Sequence, residues 1–231
     1  MRKIALLICT VLSVLFANAQ DLHLGFSAGL AFANMEGARS SLENKLHSLP
    51  YQAGITDNFP AWFEYKAEMS ADFDMVMFGV YYMRSSTGGR ISAKDYSANY
   101  FYNVEMINNA FGFSTKLLFE EINKTRFFVT LGIGQQHLKS IINEEMYLYS
   151  SNRKLILKKG ETEGQSLHAI MGLFVEKRLT TNISVAAYVN FYTSPGYTES
   201  GYHAANWRGF RSGLTFCIIV PESIKNYSIA E

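Results

Sequence analysis

The chain has 231 residues, 48 % of them hydrophobic and 14 % aromatic, with four prolines; that is enough apolar material for one sizeable core and unlike a disordered segment. Its 21 lysines and arginines nearly cancel its 20 aspartates and glutamates, and no basic stripe interleaved with aromatics runs along it, which argues against nucleic acid as a partner. HEXXH, phosphate-loop, CxxC and aspartate-rich calcium motifs are absent, so motif reading calls for no metal and no cofactor.

In chain order, Arg2 and Lys3 precede an apolar stretch from Ile4 to Phe16 and an A-x-A pattern at Ala17–Ala19. This reads as a secretory signal peptide over residues 1–19, too short for a spanning helix. Cys9 falls inside it, which leaves Cys217 alone in the exported protein, a small apolar side chain in a strand. The first strand follows, where Leu22, Leu24, Phe26, Ala28, Leu30 and Phe32 alternate with His23, Gly25, Ser27, Gly29 and Ala31. Seven more segments alternate in the same way, beginning near residues 62, 74, 110, 127, 166, 183 and 209. Short polar turns, near residues 71–74, 121–126 and 177–182, alternate strictly with long polar stretches at 33–60, 85–109, 135–165 and 193–206. The stretch at 135–165 has room for a hairpin of its own. An even number of strands, short turns at one end and long loops at the other, is the layout of an up-and-down transmembrane β-barrel.

The rows opposite the apolar ones decide the orientation. A soluble barrel must satisfy water with its outer row, yet that row here is Gly, Ser and Ala in the first strand and Ser, Ala, Tyr and Asn in the seventh. Small side chains suit the inside of a narrow eight-strand ring, so the apolar row faces lipid. Asp74, Arg84 and Arg208 have the lipid-facing parity but fall at strand ends. Phe63, Tyr65, Phe111, Phe119, Phe127, Phe191 and Phe210 supply the aromatic girdles.

The layout of residues 20–220 resembles the small outer-membrane barrels of Gram-negative bacteria, the OmpA/OmpX class and especially the PorT-like outer membrane protein β-barrel family. The resemblance implies an all-β, eight-stranded antiparallel barrel in the outer membrane with short periplasmic turns and four long extracellular loops. It also implies contact with outer-membrane lipid and lipopolysaccharide, recognition by the barrel-insertion machinery, and an envelope or secretion protein as partner. In the family's last strand a polar, Gly, hydrophobic and aromatic pattern is the insertion signal. Arg211, Gly213, Phe216 and Ile218 match it, with Ile218 in the aromatic's place. Pro221 then ends the strand, and residues 221–231 form a short periplasmic tail.

By parity Glu64, Lys66, Glu68, Lys116, His168 and Arg211 project into the lumen, where buried charges must be paired, so the reading is a polar network filling the ring. Ser166 and His168 share a strand face, as a nucleophile and base would, but no acidic third member is identifiable. The resulting expectation is a non-enzymatic membrane barrel whose loops interact. A soluble lipocalin-like barrel is the alternative; it requires Phe63, Tyr65 and Met69 to line a cavity while Glu64, Lys66 and Glu68 face water. A lipid-modifying barrel enzyme is the weaker alternative.

Overall fold

Period-two alternation and cross-strand register together close the sheet on itself. In the computed structural model, which describes residues 19–194 and 207–221, nine strands and one helix follow one another. They are β1 (Asp21–Ala33), α1 (Glu36–His47), β2 (Gly54–Asn58), β3 (Trp62–Phe73), β4 (Val76–Lys94), β5 (Ala98–Ile122), β6 (Thr125–Leu148), β7 (Arg153–Arg178), β8 (Ile183–Thr193) and β9 (Gly209–Pro221). Every pairing is antiparallel, and β9 returns to β1 from Asp21↔Pro221 to Ala33↔Gly209. Eight strands therefore form a ring with no free edge at membrane height, which is the condition hydrocarbon imposes on backbone N–H and C=O groups. The signal-peptide residues up to 18, the tail from residue 222 and most of the fourth long loop lie outside the described residues.

The apolar rows face outward. Phe63 is 75 % exposed and Leu214 70 %, whereas Glu64 is 3 % and Arg211 3 % exposed. The lipocalin-like alternative required the reverse and is overturned. Phe111, Phe119, Phe210 and Tyr65 stand on the outer surface.

Strand lengths divide the ring into two heights. β8 has 11 residues and β3 has 12, about what crosses a bilayer at the usual tilt, but β5 has 25 and β7 has 26. The excess lies at the long-connection end. Two of the four long connections are accordingly continuing strands: β4 pairs β5 up to Lys94↔Asn99, and β6 pairs β7 up to Leu148↔Arg153. The same inside-outside alternation persists in these extensions, with Ile91, Tyr100, Val104 and Ile142 buried, which is why the backbone keeps its sheet geometry there. The connection after β1 also folds. It forms α1, which packs Ala38 and Leu42 inward, and then β2, which pairs the top of β4 from Gly54↔Ser92 to Asn58↔Gly89. At Gly89 an added Cβ would lie 2.9 Å from Leu42 Cδ2 and 2.7 Å from Phe59 Cε2, so the glycine is what lets the helix seat.

At the other end the turns are tight. Ile122↔Thr125 flank a two-residue turn in which Asn123 and Lys124 have φ of 50° and 65°, the left-handed pair that matches the twist of a hairpin.

Candidate functional site

The lumen is filled in layers, and its polar groups come from inward positions of all eight ring strands. In the middle layer Glu68 on β3 receives Lys66 Nζ and Lys116 Nζ, each at 2.8 Å, and Ser114 donates to the same carboxylate at 2.6 Å. One carboxylate held by two ammonium groups leaves a local excess of one positive charge. Lys116 Nζ also stands 4.4 Å from the Phe174 ring centroid, where the ring's negative face takes part of that charge. Above it, Arg211 is ion-paired with Glu64, lies 3.6 Å over the Tyr192 ring and reaches Met83 Sδ at 2.9 Å. His168 joins neither ion pair. Its Nε2 is 2.5 Å from Tyr81 Oη, and its ring stacks on Tyr192 at 4.9 Å.

The six residues expected in the lumen thus separate into Glu68–Lys66–Lys116, Glu64–Arg211 and a histidine among tyrosines. Ser166 accepts from Gln136 at 2.6 Å and pairs with Ser194 at 3.0 Å, so it and His168 each have other partners. Of the insertion-signal positions, Arg211 is buried in the lumen while Phe216 and Ile218 face outward. Cys217 is buried and in no disulfide. Between the middle and upper layers a cavity of about 10 Å³ remains among Glu64, Tyr81, Thr130 and Arg211, room for about one water.

A third polar layer lies at the short-turn end. Asp72 takes Arg126 on both oxygens, at 2.5 and 3.2 Å; Glu176 accepts from Ser184 at 2.5 Å; and His23 stands between them, 3.5 Å from Asp72 and 3.3 Å from Glu176. Asp21 pairs with Arg178 at 2.9 Å. Reading strands too short hid this layer. Asp72 and Arg126 fall within stretches that read as turns, and Glu176 lies just past the last alternating residue; extending each alternation by one or two residues places all three inward.

An apolar plug closes the opposite end. Met35, Leu42, Phe59, Trp62, Ile91 and Trp207 belong to one buried cluster, and the two tryptophans meet edge-on at 5.0 Å. Lys45 on α1 reaches Glu144 on β6 at 3.0 Å, and Tyr100 donates to the same carboxylate at 2.8 Å. Burial, with Glu144 beside it, pushes the Tyr100 phenol well above its ordinary pKa.

Beyond the plug, the sheet β2–β4–β5–β6–β7 continues as a blade. β8 begins to pair β7 only at Ala169↔Thr193. From Arg153 to His168, β7 pairs β6 on one side, and among the described residues no strand pairs its other side. This edge carries Arg153, Lys154, Lys158 and Lys159 near its tip, with Leu155, Ile156 and Leu157 at 40, 65 and 49 % exposure. Lower on the blade, Lys139 is ion-paired with Glu161; the bond raises the lysine's pKa and lowers the carboxylate's.

No protein-family model matches the chain, and no curated protein matches it in sequence. Among solved structures the chain is similar to the attachment invasion locus protein Ail of Yersinia pestis, determined with the heparin analogue sucrose octasulfate (8 % identity, 87 % of this chain, 98 % of that one, TM-score 0.44). It is also similar to the outer membrane protein OprG of Pseudomonas aeruginosa (10 %, 88 % and 97 %, TM-score 0.40). A third similar structure is the outer membrane protease OmpT of Escherichia coli (8 %, 87 % and 96 %, TM-score 0.41).

Proposed function

We propose that this is a non-enzymatic integral outer-membrane barrel that does not conduct and that offers the free edge of its blade to an extended segment of another protein. The apolar outer rows and the edgeless ring support the membrane seat, with lipid and lipopolysaccharide around the wall. The ion-paired lumen and the apolar plug above it support a closed pore. One observation carries the binding role: residues 153–168 of β7 hold a row of backbone N–H and C=O groups with one side unpaired among the described residues. At about 3.3 Å per residue that is about 50 Å of strand.

An added strand would take its affinity from main-chain hydrogen bonds and its selectivity from the side chains that flank the edge. Arg153 and Lys159 at the tip, beside a Lys154 already ion-paired with Glu145, favour an acidic partner segment. Service to protein secretion or envelope upkeep, the role that the PorT-like resemblance implies, is the form this takes when the partner is an envelope protein. Insertion of the barrel would use the β9 positions Arg211, Gly213, Phe216 and Ile218.

Photocrosslinking in intact cells tests the reading, with the probe placed at Ile156 on the edge or at Phe63 on the lipid belt. Protein adducts from position 156 and none from position 63 are expected. Absence of adducts from position 156, or equal adducts from both, would overturn it.

A further inference from the structure

The short-turn mouth holds a set of groups that a closed lumen does not need. Asp21 on β1 and Asp72 on β3 are direct cross-strand partners on the lumen side, and His23 lies one inward position deeper. Like charges in directly opposed register repel, and Arg178 and Arg126 each offset one of the two from the flank and leave the space between them to another cation. The ligand atoms of Asp21, His23 and Asp72 all lie within 4.8 Å of one another.

His23 supplies the independent sign. It is 2 % exposed and stands within ion-pair distance of two carboxylates, yet neither ring nitrogen makes a well-formed hydrogen bond to either. Its Nε2 lies 3.5 Å from Asp72 Oδ2, close to the edge of about 3.4 Å that two ligands make around a tetrahedral zinc with bonds of about 2.1 Å. Its Nδ1 faces Glu176 Oε1 at 3.3 Å, and Ser184 fixes that carboxylate. A histidine backed by a carboxylate on the nitrogen remote from the metal is how ligating imidazoles are held in tautomer and orientation.

We propose that the short-turn mouth binds one divalent first-row cation, zinc foremost, through Asp21, Asp72 and His23 Nε2, with water in the open position. Arg126 and Arg178 remain on the outer lone pairs of the two aspartates, since each carboxylate oxygen accepts more than one partner. Charge agrees: the four carboxylates of Asp21, Asp72, Glu121 and Glu176 are balanced by Arg126, Arg178 and a doubly charged ion, with His23 neutral. Access is open as well. A vestibule of about 850 Å³ at this mouth is lined by Asp21, Asp72, Arg126 and Arg178. One imidazole and two carboxylates suit zinc or manganese better than calcium, which takes oxygen ligands alone.

The test is a calorimetric titration of the full barrel in detergent, stripped with chelator, with zinc chloride and separately with manganese chloride. One ion per barrel is expected. Asp21→Asn, at the partly exposed rim, should weaken binding by about tenfold or more, and Glu176→Gln by about 10- to 100-fold through the second shell. His23→Gln should abolish it, while His137→Gln, on the outer blade, should leave it unchanged. Each variant is checked for folding by its heat-modifiable mobility on gels, and Asp21→Asn serves as the readout if a buried change prevents folding. Cobalt gives a second readout: its visible ligand-field band should form in the parent, need a higher cobalt concentration in Asp21→Asn and fail to form in His23→Gln. No binding, or binding that Asp21→Asn and His137→Gln affect equally, would overturn the site and leave His23 as an ion-paired imidazolium.

Discussion

At the scale of single residues, the lumen is held by groups that would be expensive to leave alone. Arg211 and Glu64 are both buried and meet over the inner face of β1, from β9 and β3 on either side of it. Glu64→Ala leaves the guanidinium without its carboxylate, with Met83 Sδ and the Tyr192 ring against it. Breaking a buried pair in this way costs about 3–5 kcal/mol, more than the pair itself contributes over a well-packed apolar substitute. Urea unfolding in vesicles should show that loss for Glu64→Ala and a much smaller one for Glu64→Leu combined with Arg211→Met. Equal losses would mean that the two charges are not coupled. The inward parity of Glu64 and Arg211 was legible from alternation alone. Which inward charge meets which was not, because partners lie on strands far apart in sequence whose stagger is set by the closed register.

At the scale of elements, the departures from the sequence reading have one cause, which is that long polar stretches can still bury one face. The stretch of residues 85–109 reads as polar because its outward positions include Ser86, Arg90, Asn103 and Glu105, while its inward ones include Ile91, Tyr100 and Met106, which form part of a core. Helix α1 offers Ala38, Leu42 and Leu46 on one side of an otherwise polar dozen residues, too thin a stripe to stand out without the surface it covers. That stripe nonetheless seals the barrel. Leu42→Asp removes about 2–3 kcal/mol of apolar burial and sets a carboxylate among Phe59 and Ile91. Limited proteolysis should then cleave within residues 36–58, while the heat-modifiable mobility of the ring persists. Loss of that mobility would show that the helix is part of the barrel's own stability instead of a lid upon it.

At the scale of the whole molecule, one orientation accounts for features that otherwise conflict: a chain with few charges on its outer rows, a ring without edges, and ionic groups packed where a soluble barrel keeps its oil. Shell and core have exchanged roles, with lipid as the solvent for the shell. The physical consequence is a dependence on depth that water could not produce. Leu214 lies at mid-height on β9, paired to Ala28 on one side and Ala187 on the other, and is 70 % exposed. Phe32 lies at the rim, opposite Phe210, and is 51 % exposed. In water both sites would accept arginine at similar small cost. In a bilayer Leu214→Arg should cost about 2–4 kcal/mol and Phe32→Arg about 0–1, since only the rim lets the guanidinium reach headgroups and water. Urea titration of the two variants in phospholipid vesicles reads the difference directly. If the two costs are equal in vesicles, the outer rows are not in hydrocarbon and the ring does not span a membrane.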